Sequence, residues 1–199
     1  MDIYRERFAY FERLLSLQFL SSEYISHKPT KGTEREIFIK FLLTSVLPYS
    51  SFSQGILTHG IWQSTQADFI KLKNSAVETG SVYRVKDALI FMEIKSNTKA
   101  KDFRDLNIVT KTLKEYNAQI LIGMFCFKTK AKEKTIIKIF GIDFDEEIKA
   151  YNSYKYNLDK YPYIDFCFSM NLDSEINMET KCYLLDISDN NLTLYKGET

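Results

Sequence analysis

Apolar residues along this chain follow two periods, and the order in which the periods alternate sketches a fold. Between residues 2 and 24, Phe8, Phe11, Leu15 and Phe19 recur every three or four positions, with Arg5, Glu6, Glu12 and Arg13 interleaved. That spacing predicts an amphipathic helix. Pro29 and Gly32 punctuate a loop expected over His27–Gly32. Thr33-Glu34-Arg35-Glu36 has the spacing of a capping box, so a second helix is expected to open at Thr33. Its core face would carry Ile37, Phe38, Phe41, Leu42, Ser45 and Val46, up to Pro48.

The pattern then changes. Short apolar runs predict strands at 52–58, Ala67–Leu72 and Ala88–Ile94, the last apolar enough to be buried on both faces, with 74–87 as a turn region. From about Thr98 to Tyr116 the helical period returns, with Phe103, Leu106, Val109, Thr110 and Leu113 on one face. Ala118–Phe127 reads as a strongly apolar strand leading into a lysine-rich loop. Residues 135–142 fit strand or helix, 144–157 a helix, and Tyr163–Met170, Lys181–Ile187 and Leu192–Tyr195 closing strands. The expectation is one α/β domain over 1–199, a mixed β-sheet flanked by helices. Within it, 1–30 form an N-terminal helix and loop, 31–127 the core, and 128–199 a lysine-rich loop, a helix and closing strands.

Composition supports a core-bearing globular protein: 45% of the 199 residues are hydrophobic and 15% aromatic, with three Pro and seven Gly. The formal net charge of +1 does not by itself mark a nucleic-acid binder. Its distribution is uneven. Lys86–Lys138 holds 12 Lys and Arg against 6 Asp and Glu, whereas Gly141–Thr199 holds 5 against 12. A basic middle of this kind can meet phosphate. Cys126, Cys167 and Cys182 each lie in an apolar run without metal-ligand spacing, which suggests buried thiols in a reducing compartment. Two histidines, His27 and His59, are too few for a His-rich zinc site. With no signal-like start and no membrane-length apolar run, a soluble, cytoplasmic protein is expected.

The candidate chemistry lies in Asp68 and in Glu93-Ile94-Lys95. Side chains alternate across a strand, so Glu93 and Lys95 share one face while Ile94 packs on the other. With Asp68 at the end of a neighbouring strand, two carboxylates and a lysine converge. Hard Mg²⁺, or Mn²⁺ in its place, prefers such oxygens, and the backbone carbonyl of Ile94 is a further candidate ligand. Gln66, two residues before Asp68, is expected on the same face. Glu36 is a third acid, readable both as the capping-box glutamate and as a carboxylate aimed at the site. Glu-x-Lys alone says little: it recurs at Glu147-Ile148-Lys149, in what reads as an acidic helix start. Glu93 and Lys95 read equally well as a solvated strand end. Lys128, Lys130, Lys132, Lys134 and Lys138 form a basic cluster that suits either a DNA backbone or plain solvent.

In their order and elements, Gly32-Thr33-Glu34-Arg35-Glu36, Gln66-x-Asp68 and Glu93-x-Lys95 resemble the PD-(D/E)xK nuclease superfamily. The run from Lys31-Gly32 to Leu47-Pro48 and the strand Ile120-Leu121-Ile122-Gly123-Met124 resemble, more narrowly, the NucC-type endonucleases of bacterial antiphage defence. The likeness spans roughly 28–127; Ala67 stands where the superfamily's proline would, and 128–161 departs from the NucC type. The resemblance implies a restriction-endonuclease-like fold and an Mg²⁺-dependent endonuclease of double-stranded DNA that leaves a 3′-hydroxyl and a 5′-phosphate. Asp68, Glu93 and Lys95 would be catalytic, with Glu36 and Gln66 accessory. Homo-oligomers are implied, and in some relatives activation by a cyclic oligonucleotide. A site-specific restriction endonuclease and an inactive DNA- or protein-binding subunit of the same fold are the alternatives.

Overall fold

A computed structural model of the protein describes residues 3–46, 52–76, 80–129 and 161–170, with short pieces at 144–145, 147, 150–151, 183–186 and 193–196. Two helices, α1 (Ile3–Ser22) and α2 (Lys28–Val46), lead into β1 (Phe52–His59), β2 (Trp62–Leu72) and β3 (Val82–Arg84). A single 3-10 turn, Val85–Asp87, connects to β4 (Ala88–Thr98), followed by α3 (Ala100–Tyr116) and β5 (Leu121–Thr129). Short strands β6 (Phe144–Asp145), β7 (Ala150–Tyr151), β8 (Phe166–Ser169), β9 (Tyr183–Asp186) and β10 (Thr193–Lys196) complete the described elements. Among them, eight strands form one sheet in the order β10-β9-β8-β5-β4-β2-β1-β3. The centre, β4-β5-β8, is parallel; β1-β2, β2-β4, β8-β9 and β9-β10 are antiparallel.

Both faces of the sheet are covered, which is why β4 and β5 are so apolar. On one face Phe103, Leu106 and Leu113 of α3 pack with Ile70, Phe91, Ile122 and Met124. On the other, Phe19 of α1 and Ile39 of α2 pack with Phe69, Met92, Ile94, Phe125 and Phe127. The mixed sheet flanked by helices is therefore as expected; β8 and β9 fall inside their predicted runs, and β10 overlaps its run and extends one residue past it, to Lys196. Cys126 and Cys167 are buried and unbridged.

Three expectations are corrected. α2 opens at Lys28, not Thr33, because Pro29 sits in its first turn, where a missing N–H costs nothing and a fixed φ favours the helix. The capping-box reading of Thr33 and Glu36 therefore falls, and Glu36 lies within the helix. The turn region 74–87 contains β3, which pairs with β1 in parallel. In the stretch where a helix is expected over 144–157, the described residues 144–145 and 150–151 are strands, β6 and β7, which pair antiparallel with Phe144 opposite Tyr151, and 152–157 lie outside the described residues. There the backbone groups are met by strand pairing rather than within a helix. The basic cluster from Lys130 to Lys138 and the tyrosines at Tyr154 and Tyr156 lie outside the described residues.

Arg35 joins the two N-terminal helices and is buried to 2% exposure. Its Nε donates to Ser22 Oγ at 2.7 Å, its Nη2 donates to the Phe19 carbonyl at 3.3 Å and pairs with Glu23, and its guanidinium lies 4.0 Å over the Phe19 ring. A buried guanidinium is tolerable because three of its donors are used, one of them on a carboxylate, and a ring face covers it. Arg35→Ala should lower unfolding free energy by about 2–3 kcal/mol, from lost hydrogen bonds and packing. A shift in the urea midpoint measures this; an unchanged midpoint would show that α1 docks without it.

Candidate active site

The site lies where the β2–β4 ladder stops. The two strands pair from Leu72↔Ala88 to Phe69↔Met92 and no further. One step past the last pair, the Asp68 carboxylate takes over from the backbone: its Oδ2 accepts a hydrogen bond from the Ile94 amide at 2.8 Å. The next two β4 positions supply the other groups. Lys95 Nζ donates to Glu93 Oε2 at 2.6 Å and stands 3.6 Å from Asp68 Oδ2. Glu93 and Asp68 retain 16% and 17% of their side-chain exposure and Lys95 35%, so the carboxylates are largely buried and the lysine is the most exposed of the three. The alternation reading of β4 holds, with Ile94 buried on the α1–α2 face and Phe91 buried on the face that Glu93 and Lys95 share.

A bulge sets the direction of Asp68. Between Ser53↔Ile70 and Gly55↔Ala67, β1 advances two residues while β2 advances three. Such an extra residue bends the strand and re-aims a side chain. Here it brings Ala67 and Ile70 into one core and Phe69 into the other, with Asp68 between them at the fork. Gln54 is the β1 residue opposite the bulge.

Glu36 reaches the same place from α2. Its Oε2 accepts a 2.7 Å hydrogen bond from Gln54 Nε2, and it feels both Asp68 and Lys95 electrostatically. Burial, then repulsion from Asp68, push the Glu36 carboxyl above the usual carboxylate range, partly offset by Gln54 and Lys95. Glu93 is also pushed up, by burial first and Asp68 second, against the pull of Lys95. For Lys95, burial acts to depress the pKa, but Glu93, Asp68 and Asp102 outweigh it and the ammonium is held above its ordinary value. Gln66 pairs with Ile56 and lies exposed; among the described residues no hydrogen bond joins it to Asp68, Glu93 or Lys95. Glu147 of the second Glu-x-Lys is exposed at a turn. His59 stacks on Tyr116 at 4.1 Å, at the tip of the β1–β2 hairpin.

Among the described residues, no three acid, histidine or cysteine side chains converge closely enough to hold one metal ion. Asp68, Glu93 and the Ile94 carbonyl are the groups at the fork that could hold one, two carboxylates and a carbonyl. That suits Mg²⁺, which ordinarily takes one or two carboxylates and keeps several waters. The electrostatics fit as well: Glu93 and Glu36 are costly to ionise beside Asp68, with one lysine to offset three carboxylates. A divalent cation would relieve that cost.

The fold is of the α/β class, a mixed sheet flanked by helices, with acids and a lysine at a fork between neighbouring strands. More particularly, the chain has the fold of NucC. It superposes on NucC of P. aeruginosa ATCC27853 in its cAAA-bound form with a TM-score of 0.71 at 10% identity, covering 98% of this chain and 85% of that one. NucC of E. coli MS115-1 matches with a TM-score of 0.66 in its cAAA-bound form and 0.60 in its apo form, at 11% and 10% identity. Both alignments cover 98% of this chain and 84% of the other. No protein-family profile and no curated protein matches the sequence. At this identity the likeness is one of fold, and it spans nearly the whole chain. Among the described residues, no helix is long and apolar enough to cross a membrane.

Proposed function

We propose that the protein is an Mg²⁺-dependent endonuclease of double-stranded DNA that acts in antiphage defence as a homo-oligomer. The observation that carries this reading is the fork itself, where Asp68, Glu93 and Lys95 come together at the end of a shared ladder. Asp68, Glu93 and the Ile94 carbonyl would hold the ion. A divalent cation there offsets phosphate charge and lowers the pKa of its water.

The chain's own groups have distinct tasks. With its pKa raised, Lys95 is protonated at neutral pH, so it serves as a donor rather than a base. It orients the attacking water and offsets the charge that grows on the phosphate. Glu36, half-buried and pushed up, is matched to accept that water's proton. Gln66, exposed on β2, would touch substrate.

Two structures of this fold hold cAAA, so a cyclic oligonucleotide is the activator to test here. Purified protein incubated with supercoiled plasmid and Mg²⁺ should nick and linearise it, and cAAA should accelerate the reaction. Mn²⁺ should replace Mg²⁺, and EDTA should stop cleavage. Intact plasmid under every metal and nucleotide condition would overturn the nuclease reading. Discrete bands on phage DNA would instead indicate a site-specific restriction enzyme.

A further inference from the structure

Glu36 comes from a helix, but what holds its carboxylate comes from the sheet. Among the described residues, one side-chain hydrogen bond reaches it, from Gln54 Nε2 at 2.7 Å. Because an ionised carboxylate only accepts, the amide must turn its NH₂ toward Glu36, which fixes the amide's orientation. Gln54 is itself held by its backbone. It occupies the β1 position opposite the bulge that carries Asp68, between Ser53↔Ile70 and Gly55↔Ala67. One bulge therefore fixes two things: where Asp68 points, and where the donor to Glu36 stands. Left alone, Glu36 would swing away from Asp68, since like charges in a half-buried cluster repel.

We propose that Gln54 is a positioning residue of this site, acting through Glu36 by fixing the direction of its carboxylate from the β1 position opposite the Asp68 bulge. The proposal rests on the nuclease reading above. Gln54 need not touch DNA or metal. It contributes the fixed geometry on which proton transfer from the attacking water depends, where a displacement of about 1 Å can cost as much as a hundredfold in rate.

Gln54→Met keeps the side chain's volume and removes the donor. It should lower kcat for plasmid cleavage by about tenfold to a hundredfold, with KM for DNA and the melting temperature near wild type. Gln54→Glu should lose more, because it sets a second carboxylate against Glu36. In a Glu36→Ala background, Gln54→Met should cost nothing further, the signature of a residue that acts through its partner. Wild-type kcat in Gln54→Met, a loss expressed in KM instead, or an unchanged penalty without Glu36 would each overturn the proposal while leaving the nuclease reading standing. A wild-type protein that cuts nothing would overturn both.

Discussion

Glu93→Gln should reduce plasmid cleavage by roughly a thousandfold or more while making the protein more stable at neutral pH. The loss of activity follows from the removal of one of the two carboxylates proposed to hold the ion and of Lys95's closest acceptor. The gain in stability follows from sign. The folded-state pKa of Glu93 is raised, so the native protein binds its proton more tightly than the unfolded chain does. Glu93 therefore favours folding most at acid pH. That contribution is lost as pH rises from about the ordinary carboxylate value, 4.5, through the raised folded value. At pH 7 the ionised group opposes folding, and a neutral amide of the same shape removes the opposition. Thermal melts and plasmid assays on the same preparation check both halves. Mg²⁺ should raise the melting temperature of the wild type but not of Glu93→Gln, since only a chain that binds the ion is stabilised by it. Robust cutting by Glu93→Gln would sink the site assignment, and a lower melting temperature would sink the electrostatic account.

That opposition between activity and stability explains which parts of the site could be read from the sequence. Asp68, Glu93 and Lys95 were legible because strand alternation dictates faces: once Ile94 is apolar and buried, Glu93 and Lys95 must share the other side. The convergence of Asp68 with them was legible only through order and resemblance, since the fork depends on where the β2–β4 ladder ends. Gln54 left no such signal. It is one polar residue in a short apolar strand, and its partner Glu36 lies 18 residues away on a helix. Gln66 is exposed on β2, and among the described residues no hydrogen bond ties it to Asp68, Glu93 or Lys95, so alternation alone does not define its part. β3, three residues long, is too short to display a period. Arg35 reads as a surface charge and is instead among the largest fully buried side chains.

The bulge opposite Gln54 also makes Gly55 the position where the smallest change should do the most damage. Gly55 has φ +152°, a conformation that L side chains rarely adopt, and it sits between Gln54 and the start of the β1–β3 pairing at Ile56↔Val82. An added Cβ would run into the Ser81 carbonyl oxygen and stand 2.8 Å from the Ser81 carbonyl carbon. Both are backbone, and that oxygen accepts the Ile56 amide hydrogen bond at 2.8 Å, so no rotamer relieves the clash. Either β3 leaves the sheet or β1 flattens and the bulge closes. Gly55→Ala should therefore cost about 3 kcal/mol or more, combining overpacking with backbone strain. Gly60, at φ +59° with nothing within 4 Å of an added Cβ, is the control. Gly60→Ala should carry only the left-handed penalty of about 1–2 kcal/mol. Urea midpoints compare the two. Gly55→Ala should also lose most of the proposed nuclease activity below its own melting temperature, because the bulge aims both Asp68 and Gln54. A Gly55→Ala protein as stable and as active as the Gly60→Ala control would show that the bulge neither needs this glycine nor shapes the site.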